Sequence, residues 1–537
     1  MKTRFALCAL LLCCAFLPLV ADEHQHHHEM TAQELGAVSF PISCDAKVQP
    51  TFNHGVAWLH SFEYEQARQD FARVAVADTK CAMAHWGMAM SFYHQLWEHP
   101  SADAVKQAST LLAAAKKLKA TPREQAYIAA LANIFTSDDE KTFPDRVEKY
   151  SAAMDEVRKQ NPDDHEAAIF YALSLLGRSD YKDPELKLQR QAVAILNEQL
   201  RAVPNHPGVT HYIIHATDNP QLAQEGLEAA RAYAKIAPSS PHAVHMPSHI
   251  FARLGLWQES IQSNTHAIEI ADEMSKENLD MGHHRVHSID FLEYAYLQIG
   301  DDRKAKQQLD DVMKVEDSNM MPEFLDYLHA RKMNLASTYA LERRDWKQAL
   351  ALEPMANATP QGKALISWTH AVAAGHMKDA KTAKAAVDEF QGYMDKVKRG
   401  PKAFMVSYME PRRDEALAWQ RHAEGNDAEA VRLLRAVADK QDKVGKGETD
   451  LPAREMLAEI LLDGGKSSEA LVEYETSLKT DPNRLNGLYG AAQAAEAAGK
   501  AEKAKDYYAQ IMKNCNGSDS ERPEVMRAGK MLASLTK

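Results

Sequence analysis

The sequence predicts an all-α fold, a solenoid of antiparallel helix pairs. Near the C-terminus "LPAREMLAEILLDGGKSSEALVEYETSLKTDPNR" (451–484) is followed by "LNGLYGAAQAAEAAGKAEKAKDYYAQIMKNC" (485–515). Ala470 and Ala504, Tyr474 and Tyr508, and Ser477 and Ile511 each stand 34 residues apart, the period of a helix-turn-helix repeat. The small residue lets the second helix of a pair approach the first, and the aromatic fills the gap to the next pair. Composition agrees: an alanine-rich chain, 45% hydrophobic, 26% charged and only 7% aromatic, suits helices better than a β-sandwich. Strand-like alternation bounded by turn signals is not found.

Along the chain, the 537 residues begin with a secretion signal over 1–21. Lys2 and Arg4 precede the apolar run "FALCALLLCCAFLPLV", with cleavage expected after Ala21. The run is too short to span a membrane, and no later stretch is apolar enough. The residues before Cys13 and Cys14 do not suit lipidation. Residues 22–50 form a His-rich irregular lead-in, and 51–400 a helical repeat array. There Gly55, Trp58, Ala67, Phe71 and Val74 mark the first repeat, and Gly87 a tight helix crossing. Further anchors are Trp257, Ser260, Asn264 and Ala267, then Ala305, Leu309 and Val312, then Trp346 and Ala349. A joint at 396–404 precedes C-terminal repeats over 401–537, where Ala430, Leu434 and Val437 repeat the pattern and 440–450 reads as a polar linker or loop.

The net charge of −12 becomes −14 once Lys2 and Arg4 leave with the signal. No basic face remains to bind nucleic acid. An exported protein, periplasmic or secreted, can hold disulfides, and three of the six cysteines remain after cleavage. Cys44 precedes the first helix and Cys81 begins the second pair, so these are expected to bond and leave Cys515 free; the alternative is three buried thiols.

The 24 histidines are concentrated before residue 300. His211 and His215 in "HYIIHATD" share a helix face, and His245 and His249 in "PHAVHMPSHIFARLG" repeat that spacing one helix pair later. Neighbouring helices of a solenoid could bring these four imidazoles together as a site for copper or zinc. His242, His284 and His287 are further candidates. Pro247 either starts a helix or kinks one between His245 and His249. The competing reading is a polar seam, with the imidazoles bonded to backbone carbonyls and to Asp218, Asp290 or Glu293, or holding a carboxylate or peptide terminus. "HQHHH" (24–28) would bind metal loosely. Phosphate loops, nucleotide fingerprints and serine elbows are absent. A metalloenzyme would need a base, for which Glu98, Asp218, Asp290 and Glu293 are candidates.

The blocks at 52–91, 211–220, 242–264 and 451–461 resemble a family of exported bacterial tetratricopeptide-repeat (TPR) proteins. The resemblance extends over most of the mature chain. It implies a TPR-type α-solenoid and favours the Cys44–Cys81 bond, but it implies no reaction. Two functions are therefore carried forward. One is an exported scaffold whose concave surface binds a protein or peptide partner and which holds a transition metal. The other is a copper- or zinc-dependent oxidase or hydrolase on the same scaffold.

Overall fold

The computed structural model describes residues 32–535 except 97–98, 181–182, 277–281 and 401–402. Residues 1–21, where a secretion signal is expected, the "HQHHH" segment and Glu98 lie outside the described residues. Antiparallel helix pairs run through the rest, from Gln49–His60 with Tyr64–Ala77 to Leu485–Ala497 with Ala501–Asn514, and Pro523–Leu535 covers the end. Among the described residues there is no strand. The architecture is a TPR-type α-solenoid.

The repeat anchors are where the pairs close. Ala67, Phe71 and Val74 are buried, as are Ala305, Leu309 and Val312, and Ala470, Tyr474 and Ser477. Close approach explains the glycines. A Cβ on Gly87 would stand 2.4 Å from the Phe71 ring, and one on Gly490 would stand 2.2 Å from Tyr474 Cζ. Gly87→Ala is therefore expected to cost about 1–3 kcal/mol through overpacking, read as a lowered midpoint of chemical denaturation. An unchanged midpoint would mean that Phe71 can yield.

Cys44 and Cys81 are disulfide-bonded, tying the lead-in to the second helix pair, and Cys515 is a buried free thiol. Two large apolar clusters form, one from Leu35 to Met274 and one from Met333 to Ala528. Smaller ones lie over the middle repeats between them. The second cluster has members on both sides of the expected joint, Phe390 and Met394 before it and Met409 and Ala416 after it.

The C-terminal repeats close against the middle ones. Gln221 Nε2 donates to the Lys443 carbonyl (2.9 Å), Arg253 Nη1 to that of Lys446 (2.8 Å) and Trp257 Nε1 to that of Asn483 (2.8 Å). The Arg484 guanidinium bonds to Glu455, Glu342 and Tyr294. Helices such as Pro207–Thr217 are therefore buried on almost every face, which fits their lack of a polar stripe. No helix among the described residues is long and apolar enough to cross a membrane.

Candidate metal centre

The histidines that matter lie on the first helices of three consecutive pairs. Pro207–Thr217 carries His211 and His215, and Gly282–Gln298 carries His284 and His287. Between them, one helix is broken into Pro241–His245 and Pro247–Arg253. Ser240 caps its start, accepting from the Ala243 amide (3.2 Å), with Pro241 in the first turn. Pro247 has no amide hydrogen to continue the ladder, so the break falls at Met246.

The four histidines of the two HxxxH pairs do not meet at one point. Each pair is completed by a third imidazole from the next first helix: His211 and His215 by His242, and His245 and His249 by His287. The ligand atoms within each set all lie within 4.8 Å of one another. His211 Nε2 is 3.1 Å from both His242 Nε2 and His215 Nε2, and His245 Nε2 is 3.1 Å from His249 Nε2. Two nitrogens at that separation, each bound at the roughly 2.0–2.1 Å usual for zinc-imidazole, subtend an angle of about 100° at the ion. Three-coordinate capture of a tetrahedral ion needs such a spacing.

Hydrogen bonds on the far side of the rings set the tautomers. His211 Nδ1–H donates to the His60 backbone carbonyl (2.6 Å), and His245 Nδ1–H donates to Asn264 Oδ1 (2.7 Å). Both rings thus turn an Nε2 lone pair toward their set. His249 Nδ1–H reaches Asp218 Oδ2 and Glu448 Oε1, each at 3.0 Å. His287 Nδ1 is buried with no hydrogen-bond partner among the described residues. An orphaned buried imidazole nitrogen is costly unless something not yet bound satisfies it.

The electrostatics keep the donors neutral. Burial, reinforced by neighbouring imidazoles, pushes His215, His242, His245 and His287 well below the usual histidine pKa. Burial likewise takes His211 down to about 3. His249 is the exception. Burial opposes its cation, but the bonds to Asp218 and Glu448 outweigh it and raise the pKa to about 10. Without metal, its Nε2–H can donate to His245 Nε2, so a proton stands where an ion would stand. Metal uptake there must release that proton.

One phenylalanine lines each set. Phe62 packs on His211, His215 and His242 with ring centroids 4.4–5.8 Å away. Phe291 packs on His245, His249 and His287 at 4.6–5.3 Å. Both rings exclude water from the imidazoles.

Other candidates take other places. His284 Nε2 faces Glu63 Oε2 at 3.3 Å and stays outside both sets. Asp290 is held by Arg331 (2.6 Å) and Asn334. Glu293 is fully buried, and neither of its oxygens has a partner among the described residues. Burial beside Asp290 and Glu342 holds its pKa well above the usual range. Asp218 lies behind His249 and is bridged to Glu448 by Arg253. The polar seam thus exists as the layer that orients the rings. A further buried group, His60, Glu166 and His206, is joined by hydrogen bonds of 2.8 and 2.9 Å, and His60 Nδ1 meets the Tyr212 hydroxyl, while His206 Nδ1 has no partner among the described residues.

Sequence reasoning missed Glu448, which falls in a polar linker, and Asn264, which reads as a repeat anchor. The 34 residues from His211 to His245, and from His215 to His249, equal the repeat period. Two equivalent sites rather than one shared site could have been read from that match.

Beyond Asp218 and Arg253 opens a cleft of about 470 Å³, lined also by Trp368, Arg412, Lys446 and Asp450.

No protein-family model and no curated protein matches the chain. Among solved structures it is similar to the human IFIT1 dimer with m7Gppp-AAAA, at 11% identity over 81% of this chain and 90% of that one, with a TM-score of 0.37. It is also similar to the APC/C hetero-tetramer Cut9–Hcn1, at 14% identity over 83% of this chain and 76% of that one, with a TM-score of 0.33. At that level of superposition neither bears on what this chain does.

Proposed function

We propose that the protein is an exported TPR-type scaffold, periplasmic or secreted, that holds transition-metal ions in two adjacent three-histidine sites. The sites are His211, His215 and His242, and His245, His249 and His287. The observation that carries this reading is the convergence of Nε2 atoms at 3.1 Å in each set, on rings turned by Nδ1 partners. Imidazole donors suit copper or zinc, and three protein ligands leave a coordination position open for another molecule. The cleft beyond Arg253 offers room for a protein or peptide segment.

Elemental analysis tests this on the full chain with His24, His26, His27 and His28 changed to serine, which removes loose binding by the lead-in. Two copper or zinc ions per chain are expected after loading and desalting, falling to one in His211→Ala and to one in His249→Ala. Protein that leaves desalting free of metal, with thermal unfolding unmoved by added Cu²⁺ or Zn²⁺, would refute the reading.

A further inference from the structure

We infer that the two three-histidine sets form a single dinuclear copper centre that binds dioxygen between its ions. This rests on the proposed metal sites and goes beyond them in nuclearity, metal and ligand.

The broken helix supplies the geometric reason. His242 belongs to the first set and His245 to the second, yet both sit on the single turn Pro241–His245. Residues three apart on a helix have Cβ atoms roughly 5–6 Å apart on one face. Two imidazoles rooted so closely, each joined to a different HxxxH pair, hold their ions as immediate neighbours. Across the break at Met246, His245 Nε2 meets His249 while His242 Nε2 meets His211.

The donor chemistry selects the metal. Both sets consist only of imidazoles, and the carboxylates nearest them, Asp218 and Glu448, contact the Nδ1 side of His249. Purely imidazole sets, with no carboxylate bridging the ions, favour copper, which stands highest in the affinity order for such ligands. Three neutral donors also suit the cuprous state, which tolerates low coordination and an apolar shell such as Phe62 and Phe291 provide.

The ligand follows from charge and open positions. Each ion has three protein donors and one side free. Two cations close together in a water-poor site are best neutralised by a small dianion lying between them. Two cuprous ions and one dioxygen make that dianion themselves. Each copper gives up one electron and becomes cupric, and dioxygen takes both electrons and becomes a bridging peroxide. Two copper–oxygen bonds form at the least, the O–O single bond stays intact, and no proton or external reductant is consumed.

Electron paramagnetic resonance and oxygen uptake test this on the same full-length serine variant used above. With two cupric ions bound, coupling through a bridge is expected to abolish most of the two-spin signal. After reduction and removal of the reductant, the dicuprous protein is expected to take up one dioxygen per two coppers, with an intense near-ultraviolet band. His242→Ala and His287→Ala, one from each set, should each leave a single copper with a full one-spin signal and no uptake. Two coppers per chain with two uncoupled spins and no uptake would overturn the dinuclear inference and leave the metal sites standing. Retention of zinc in both sites against added copper would overturn it in the same way. A chain that binds no metal would remove both readings.

Discussion

Arg484→Met is expected to destabilise the protein by about 3–5 kcal/mol, the usual cost of stripping one partner from a buried ion pair. Arg484 is almost fully buried and lies just before the helix Leu485–Ala497. Its guanidinium donates to Glu455 Oε1 (2.7 Å), to Glu342 Oε1 (2.8 Å) and to the Tyr294 hydroxyl. Glu342 and Glu455 come from different repeats, and Tyr294 sits on the helix that carries His287. Methionine matches much of the arginine stem, so the loss is charge rather than volume, and two buried carboxylates are left uncompensated. Chemical denaturation measures the loss. Changing Glu342 and Glu455 to glutamine in the same chain should recover part of it. A loss below about 1 kcal/mol in the single variant would place Arg484 among pairs that merely break even.

Glu448→Gln is expected to weaken one of the two bound metals by about 10–100-fold while leaving the other unchanged. Glu448 Oε1 stands 3.0 Å from His249 Nδ1, sharing that N–H with Asp218. A carboxylate on the far nitrogen fixes the ring and makes its Nε2 a stronger donor, and glutamine supplies neither the charge nor the basicity. Competition against a chelating indicator separates the two affinities. Equal weakening of both sites, or of neither, would show that Glu448 does not act through His249. Because Glu448 lies in the loop after the helix Asp427–Val444, the prediction also asks whether the C-terminal repeats complete the site that the middle repeats begin.

Much of this was legible before the structure, for a physical reason. A solenoid packs each repeat against its neighbours, so the residues that specify it recur at short, regular separations. Ala470, Tyr474 and Ser477 against Ala504, Tyr508 and Ile511 are enough to predict the helix pairs that Leu485–Ala497 and Ala501–Asn514 form. The HxxxH pairs were legible on the same grounds, as helix-face neighbours.

How the histidines are grouped was not legible, because it depends on the rotation between successive helices. Spacing alone placed His211, His215, His245 and His249 in one set. The stacking of three first helices instead recruits His242 and His287 and leaves His284 with Glu63. The layer behind the rings was further from reach. Glu448 meets His249 across 199 residues of chain, and His211 meets the His60 carbonyl across 151. The helices, their pairing and the histidine faces follow from contacts between near neighbours, so a local period reveals them. The grouping of the imidazoles and the carboxylate behind them follow from closure of the solenoid, which joins residues that no local period relates.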